Sequence, residues 1–267
     1  MPISEPPRFL ETAARTTKPR RRGITHIIDK GTPLESMGEL LEAHGAFVDV
    51  WKFGFGTAYI DSTVGAKIEL LETHGVKACP GGTLLEAAWW QGRSAEFFDW
   101  SRRLGFGCVE VSRGATGLPA SSKRELIGAA RGHGFEVFSE VGSKDPHEPA
   151  LPSEWLDEAR SDLDCGAAWL VAEGRESGTV GLYGADGSVR TDLVEALGRL
   201  GEDAPVVYEA PRRQQQAWLI NHLGANVNLA NIAPAEVLGV EALRRGLRSD
   251  TLRTSLPTHT AGSLGGP

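Results

Sequence analysis

Trp169-Leu-Val-Ala-Glu-Gly-Arg-Glu-Ser-Gly178 opens apolar and closes in charge. The apolar half has the length and composition of a short buried strand. The polar half sets Glu173, Arg175 and Glu176 at its C-terminal end, among glycines. Core packing requires no such cluster, whereas a site for an anion and a divalent cation does. Arginine grips carboxylate or phosphate with a two-pronged fork. Carboxylates hold hard cations such as Mg2+, and glycine lets backbone approach a ligand closely. Taken alone, the cluster is equally accounted for by a solvated ion pair at a strand end. Its recurrence along the chain separates the two accounts.

Seven further apolar runs read as strands, at 24–28, 47–51, 76–79, 107–111, 135–139, 205–208 and 226–230. Helical spacing of apolar residues places helices between them, at 34–44, 62–74, 84–104, 121–133, 153–165, 191–201 and 214–222, with a last one through Leu243 and Leu247. Strands alternating with helices imply βαβ units and a parallel sheet. Eight such units predict a (β/α)8 TIM barrel, a single α/β domain over 23–252. The alternative is an open doubly wound sheet, which would carry a Gly-rich phosphate loop after its first strand. Gly54-Phe-Gly56 is too short for that loop and follows the second strand. Residues 1–22, rich in Pro, Thr and Arg, are expected to form a flexible arm, and 253–267 a disordered tail.

Composition narrows the function. The chain has 267 residues and a net charge of −7, which argues against a general nucleic-acid or anionic-membrane binder. No apolar run approaches the roughly 20 residues of a membrane span, and the N-terminus lacks a signal-peptide core. Cys79, Cys108 and Cys165 are odd in number and lack metal-ligand spacing, as expected of reduced cysteines in a cytoplasmic protein. The tryptophans and His26 are expected to be packing residues.

Barrel enzymes assemble their sites from the loops after the strands. In chain order those positions carry Asp29 and Lys30, Lys52, Thr83, Glu110 and Ser112, Glu140 and Lys144, Glu173 and Arg175, Glu209 and Arg213, then Asn228 and Asn231. So many carboxylates in one mouth would repel each other unless cations intervene, either lysine and arginine or a metal. Glu140, Glu173 and Glu209, on consecutive strands, are the candidate Mg2+ ligands, some of them acting through water. Lys144, Lys52 and Glu110 are the candidate catalytic groups, the lysines for proton transfer or charge stabilisation. Lys30, Arg113, Arg175, Arg213, Asn228 and Asn231 are the candidate substrate-binding residues. Phosphate is expected near Arg212, Arg213 and the backbone of 231–236, after the last two strands. Association into a homo-oligomer is expected by analogy with other barrels.

Several segments together resemble the phosphosulfolactate synthase family: Asp29-Lys-Gly31, Asp49-Val-Trp-Lys-Phe-Gly-Phe-Gly-Thr57, Gly81-Gly-Thr-Leu84, Glu140-Val-Gly142, Glu173-Gly-Arg-Glu-Ser-Gly178, Glu209-Ala-Pro211, Gln215-Gln216, Val227-Asn-Leu-Ala-Asn-Ile232 and Leu243-Arg-Arg-Gly-Leu-Arg248 with Asp250-Thr251. The resemblance runs from about 23 to 252. It implies a (β/α)8 barrel and Mg2+-dependent addition of sulfite to phosphoenolpyruvate, giving (2R)-phospho-3-sulfolactate. Two positions depart from the family pattern. Arg113 stands where the family often has aspartate, and Ser143 where it often has the first of two lysines. An Arg113 side chain turned into the mouth would favour a different nucleophile. Two alternatives follow: a relative that adds another nucleophile to phosphoenolpyruvate or a similar phosphorylated acid, and a non-catalytic stress-associated protein on the same barrel.

Overall fold

The computed structural model describes residues 9–142 and 151–255. Its strands are β1 (Thr25–Asp29), β2 (Val50–Phe53), β3 (Lys77–Pro80), β4 (Cys108–Val111), β5 (Glu136–Val141), β6 (Trp169–Ala172), β7 (Val206–Glu209) and β8 (Asn228–Ile232). All pair in parallel, in the order β3-β2-β1-β8-β7-β6-β5-β4. β3 and β4 end the sheet and face each other, with Cys108 Sγ donating to the Ala78 carbonyl at 3.3 Å across the seam. The result is the nearly closed (β/α)8 barrel that the alternation predicts.

Period-two alternation explains why the strand ends matter. In β2, Val50 belongs to the cluster filling the barrel, while Trp51 and Phe53 belong to the shell between strands and helices. Lys52 is two residues above Val50 on the inner face. The same step places Glu110 above Cys108, Glu140 above Phe138, Glu173 above Val171 and Glu209 above Val207. Five of the eight strands, β2, β4, β5, β6 and β7, therefore fill the interior low down with an apolar side chain and present a charged one at the top. Outside, Trp51 is fully buried and donates its ring N–H to Asp29 Oδ2 at 3.0 Å. Truncating it to alanine would cost about 3–5 kcal/mol.

The helices are α1 (Leu34–His44), α2 (Thr57–Ile60), α3 (Val64–Thr73), α4 (Gly82–Trp90), α5 (Ser94–Leu104), α6 (Ala120–Gly132), α7 (Pro152–Asp164), α8 (Thr191–Gly198), α9 (Arg213–Leu223), α10 (Val237–Arg244) and α11 (Leu252–Ser255). Three boundaries differ from expectation. The helix expected over 84–104 is two helices, because Gly92 adopts φ 68° between them. The second strand starts at Val50 rather than 47, since Gly45–Phe47 closes into a 3-10 turn. The eighth starts at Asn228 rather than 226, which moves Asn228 to the bottom of its strand.

The segment expected to be a flexible arm is described from Phe9, and from Arg15 it is pinned to the floor of the barrel. Arg15 Nε meets Glu241 Oε2 at 3.1 Å, and Arg20 Nη1 meets Asp49 Oδ1 at 3.0 Å. Lys18 Nζ donates to the carbonyls of Gly45 and His74, just past α1 and α3, where helix dipoles favour a cation. Among the described residues, no helix is long and apolar enough to cross a membrane.

Candidate active site

The mouth at the C-terminal ends of the strands holds a cavity of about 230 Å³. Lys52, Glu110, Glu140, Glu173 and Glu209 line it, with Arg175 and Asn231 on its wall. The five strand-end side chains are all buried. Lys52 Nζ donates to Glu110 Oε2 at 2.8 Å and to Glu209 Oε1 at 3.3 Å. The repulsion anticipated among the carboxylates is thus relieved from within by one ammonium.

Backbone amides from neighbouring loops fix the outer oxygens of the same two glutamates. Gly82 N donates to Glu110 Oε1 at 2.9 Å, and Gly174 N to Glu209 Oε2 at 3.0 Å. Both positions need glycine for close approach. A Cβ on Gly82 would lie 2.5 Å from Ser112 Oγ, and one on Gly174 would lie 2.5 Å from the Tyr183 ring. Glu173 Oε1 in turn accepts from Arg175 N at 2.7 Å.

Electrostatics sort the groups into roles. Burial alone would strip the proton from Lys52, but Glu110, Glu209 and Glu140 outweigh it and hold its pKa well above the usual lysine value. Lys52 is therefore a fixed cation. Burial pushes Glu110 up to about 7; the Lys52 ammonium pulls the other way, and Glu140 and Glu209 add to the rise. Glu110 is thus a carboxyl that exchanges its proton near neutrality. His26, one layer lower and packed against Phe138, is fully buried, and burial and Lys52 push its pKa well down. It is a neutral core residue, as its place within a strand predicts.

Backbone strain concentrates at the same place. Among the described residues, three non-glycine residues have positive φ: Phe55 (55°), Arg175 (52°) and Asn231 (56°). All three line the mouth cavity. Such conformations cost of order 1 kcal/mol each and persist where surrounding structure enforces them, commonly at functional sites.

The remaining candidates lie elsewhere. Lys30 sits on the rim and pairs with Glu176. Arg113 turns away from the mouth: its Nε donates to Glu158 Oε1 of α7 at 2.8 Å. Arg213 begins α9 and faces a different groove. Asn228 lies at the opposite end of the barrel, bridging Ile24 N and the Val206 carbonyl. Lys144 and Ser143 lie outside the described residues.

Several contributors escaped the sequence reading. Glu86, fully buried on α4, accepts from Ala115 N, Thr116 N and Ser112 Oγ and so shapes the loop after β4. Tyr183 donates to the Glu209 carbonyl from the loop after β6. Lys123, buried on α6, joins Glu158, Asp162 and the Glu140 carbonyl behind β5. The Gly81-Gly82 pair and Gly174, between Glu173 and Arg175, are the available signal for the amide donors.

For a metal, the donors are oxygens of the hard type, namely the carboxylates of Glu140 and Glu173 and the side-chain oxygen of Asn231. That oxygen is buried without a hydrogen-bond partner in the described structure. No group of three or more His, Cys, Asp or Glu among the described residues is disposed to hold a metal. This donor set fits Mg2+, which usually takes one or two carboxylates and keeps several waters. Of the three expected ligands, Glu140, Glu173 and Glu209, the last is held by Lys52 and Gly174 N, so a part played through water suits it best.

A (β/α)8 barrel with a fixed ammonium, a near-neutral carboxyl and strained residues around one polar mouth is the architecture of a barrel enzyme acting on a small molecule. Among solved structures the barrel is similar to 3-hexulose-6-phosphate synthase from Salmonella typhimurium, with TM-score 0.56 and 14% identity over 86% of this chain and 99% of that one. It is also similar to KGPDC from Streptococcus mutans, with TM-score 0.54 and 13% identity over 87% and 99%. These likenesses establish the fold alone. The sequence is more specific. Residues 13–250 match the family described as (2R)-phospho-3-sulfolactate synthase (ComA). The phosphosulfolactate synthase of Methanothermobacter thermautotrophicus is 40% identical over 247 residues, 90% of this chain and 95% of that protein. The one from Bacillus subtilis is 36% identical over 248 residues, 91% and 97% respectively. The chain belongs to the phosphosulfolactate synthase family, a family of enzymes.

Proposed function

We propose that this protein catalyses the addition of sulfite to phosphoenolpyruvate to give (2R)-phospho-3-sulfolactate, with Mg2+ as cofactor. The observation that carries the reading is the Lys52–Glu110 pair: a permanent cation hydrogen-bonded to a carboxyl that titrates near 7, at the wall of a small polar cavity.

The reaction forms a carbon–sulfur bond at the methylene carbon of phosphoenolpyruvate. The electron pair of the double bond moves onto the carbon bearing the phosphate and into the carboxylate. A proton must then reach that carbon. Two anions have to meet, so fixed positive charge lowers the barrier. Lys52 and Arg175 supply it from opposite sides of the mouth wall, Lys52 from the barrel interior and Arg175 from the loop after β6. In its neutral form Glu110 carries a proton into the site and is the proposed acid. Lys30, on the rim, shares its charge with Glu176 and is a substrate contact only if that pair opens. Mg2+, held by Glu140 and Glu173 with the Asn231 oxygen and water completing its shell, would stabilise charge developing on the substrate carboxylate.

Engagement of Arg113 by Glu158 removes the charge-based reason for a different nucleophile. The buried, mutually compensated mouth charges likewise disfavour a non-catalytic scaffold, which would gain nothing from burying them. The test is incubation with phosphoenolpyruvate, sulfite and Mg2+, following phosphosulfolactate by mass. No adduct under these conditions, with the protein folded, overturns the reading.

A further inference from the structure

Lys30 and Glu176 form an ion pair at the rim of the mouth, although they leave strands that are not neighbours. Lys30 follows β1 and Glu176 lies in the loop after β6, with β8 and β7 between those strands in the sheet. The backbone beneath each is fixed. Asp29 Oδ1 accepts from Gly31 N at 2.9 Å and from Thr32 N at 2.7 Å, which closes the turn that carries Lys30. On the other side Gly174 N is held by Glu209, and the Gly178 carbonyl accepts from the buried Gln215 Nε2 at 2.9 Å. Glu176 thus stands on an arch anchored at both feet, and it lines the mouth cavity. The pair itself is loose. Its side chains are 47% and 46% exposed, against 5% and 2% for Lys52 and Glu110. An ion pair that exposed contributes little to stability and opens by side-chain rotation alone, whereas the Lys52 pair is costly to break.

A carboxylate on the wall of a cavity that takes anions repels its own ligand unless a cation engages it. We propose that Glu176 is an internal stand-in for a substrate oxyanion at Lys30. The arriving anionic group takes over the ammonium, and the Glu176 carboxylate swings out to solvent. One ion pair replaces another, so Lys30 keeps a counter-charge throughout and no backbone has to move. Glu176 therefore sets affinity by competing for Lys30, and takes no part in bond making. The oxyanion belongs either to the phosphorylated acid or to sulfite. That choice of ligands rests on the reaction proposed above. The consequence is a gain on deletion: neutralising Glu176 should tighten binding, where loss of a metal ligand or of a structural contact would weaken it.

Equilibrium dialysis of the full chain with Mg2+ against labelled phosphoenolpyruvate and, separately, labelled sulfite tests the exchange. Wild type is compared with E176Q, K30Q, K30Q/E176Q and E96Q. Glu96, exposed on α5 and paired with Arg93, controls for a lost negative charge far from the mouth. E176Q should tighten one of the two ligands by about two- to fivefold, the range an exposed pair can supply. K30Q should weaken the same ligand by about tenfold. K30Q/E176Q should bind as K30Q does, because no ammonium remains to compete for. The ligand that responds is the one Lys30 receives. Unchanged or weaker binding of both ligands in E176Q overturns the proposal. So does an equal gain in E96Q, or a gain on adding E176Q to K30Q, either of which would reduce the effect to general charge. Binding of neither ligand by any form, wild type included, overturns the reaction assigned to the mouth together with this role. Both substitutions change exposed side chains on turns held by other residues, so thermal denaturation should show each variant folded.

Discussion

Lys52 Nζ donates to Glu110 Oε2 at 2.8 Å, and this contact reconciles the buried carboxylates of the barrel mouth. Removing the ammonium leaves Glu110 and Glu209 without their shared cation. Breaking a buried ion pair from one side costs about 3–5 kcal/mol. Lys52→Met is therefore expected to lower Tm by roughly 10 °C, at 2–4 °C per kcal/mol for a chain of this size. Its turnover should fall by about 10²–10³. In the double variant Lys52→Met/Glu110→Gln, thermal denaturation should recover part of the stability while turnover stays low. Recovery of both together would make the pair purely structural.

Glu110 sets the expected pH dependence. Its carboxyl is raised to about 7 from an ordinary 4.5, chiefly by burial. A raised carboxyl favours the folded state fully below the unfolded pKa, and that contribution is lost as pH rises through about 7. If the neutral form donates the proton, kcat/KM, which reports the free enzyme, should likewise fall with a midpoint near 7 on the alkaline side. Glu110→Gln should abolish that limb and leave a rate lower by about 10²–10⁴. A rate that is flat from pH 6 to 8 in wild type would remove Glu110 from proton transfer.

Chelation should abolish turnover, and added Mg2+ should restore it. Glu140→Gln and Glu173→Gln should each shift the Mg2+ titration to higher concentration while far-UV dichroism and Tm remain near wild type. Glu209→Gln should behave differently, because Glu209 bonds Lys52 and Gly174 N. It should lose stability more than metal affinity. Full activity in excess chelator would refute the metal assignment.

Arg113→Asp is expected to affect the fold more than the chemistry. Arg113 pairs with Glu158, which also accepts from Lys123 and from Gly142 N, at the base of the loop after β5. Lys123 and Arg113 outweigh burial and keep the Glu158 pKa below its ordinary value. An aspartate at 113 would face that carboxylate, costing about 1–2 kcal/mol by denaturant titration. The product detected by mass should be unchanged. A new product from this variant would show that the side chain reaches the substrate after all.

The rise and fall of hydrophobicity makes the barrel legible, and five of the eight strands end an apolar run with a charge on the inward face. Lys52, Glu110, Glu140, Glu173 and Glu209 follow directly from that alternation. What a local reading misses is the partner supplied from far along the chain. Arg113 looked like a mouth residue until Glu158, 45 residues on, engaged it. Asn228 looked like a strand-end residue until the eighth strand began two positions late and its amide bridged β1 and β7. The amides of Gly82 and Gly174 carry no side-chain signature. Their role depends on Glu110 and Glu209, which sit on the adjoining strands.

Phe55 tests whether strain at the mouth serves function. Its φ of 55° is unusual for a bulky side chain, yet 57% of that residue is exposed on the rim of the cavity. Burial therefore does little to hold it there. The flanking Gly54 and Gly56 leave the loop able to adopt the turn without it. Phe55→Gly would relieve about 1 kcal/mol of backbone strain and add a comparable entropy cost to the unfolded chain, so Tm should stay within a few degrees of wild type. A ring placed at the cavity edge also excludes water from charges that must interact strongly. Its loss should raise KM for phosphoenolpyruvate and lower kcat/KM by about tenfold, and Phe55→Leu should restore part of that loss. Unchanged kinetics together with a raised Tm in Phe55→Gly would mean that the strain is incidental to the reaction.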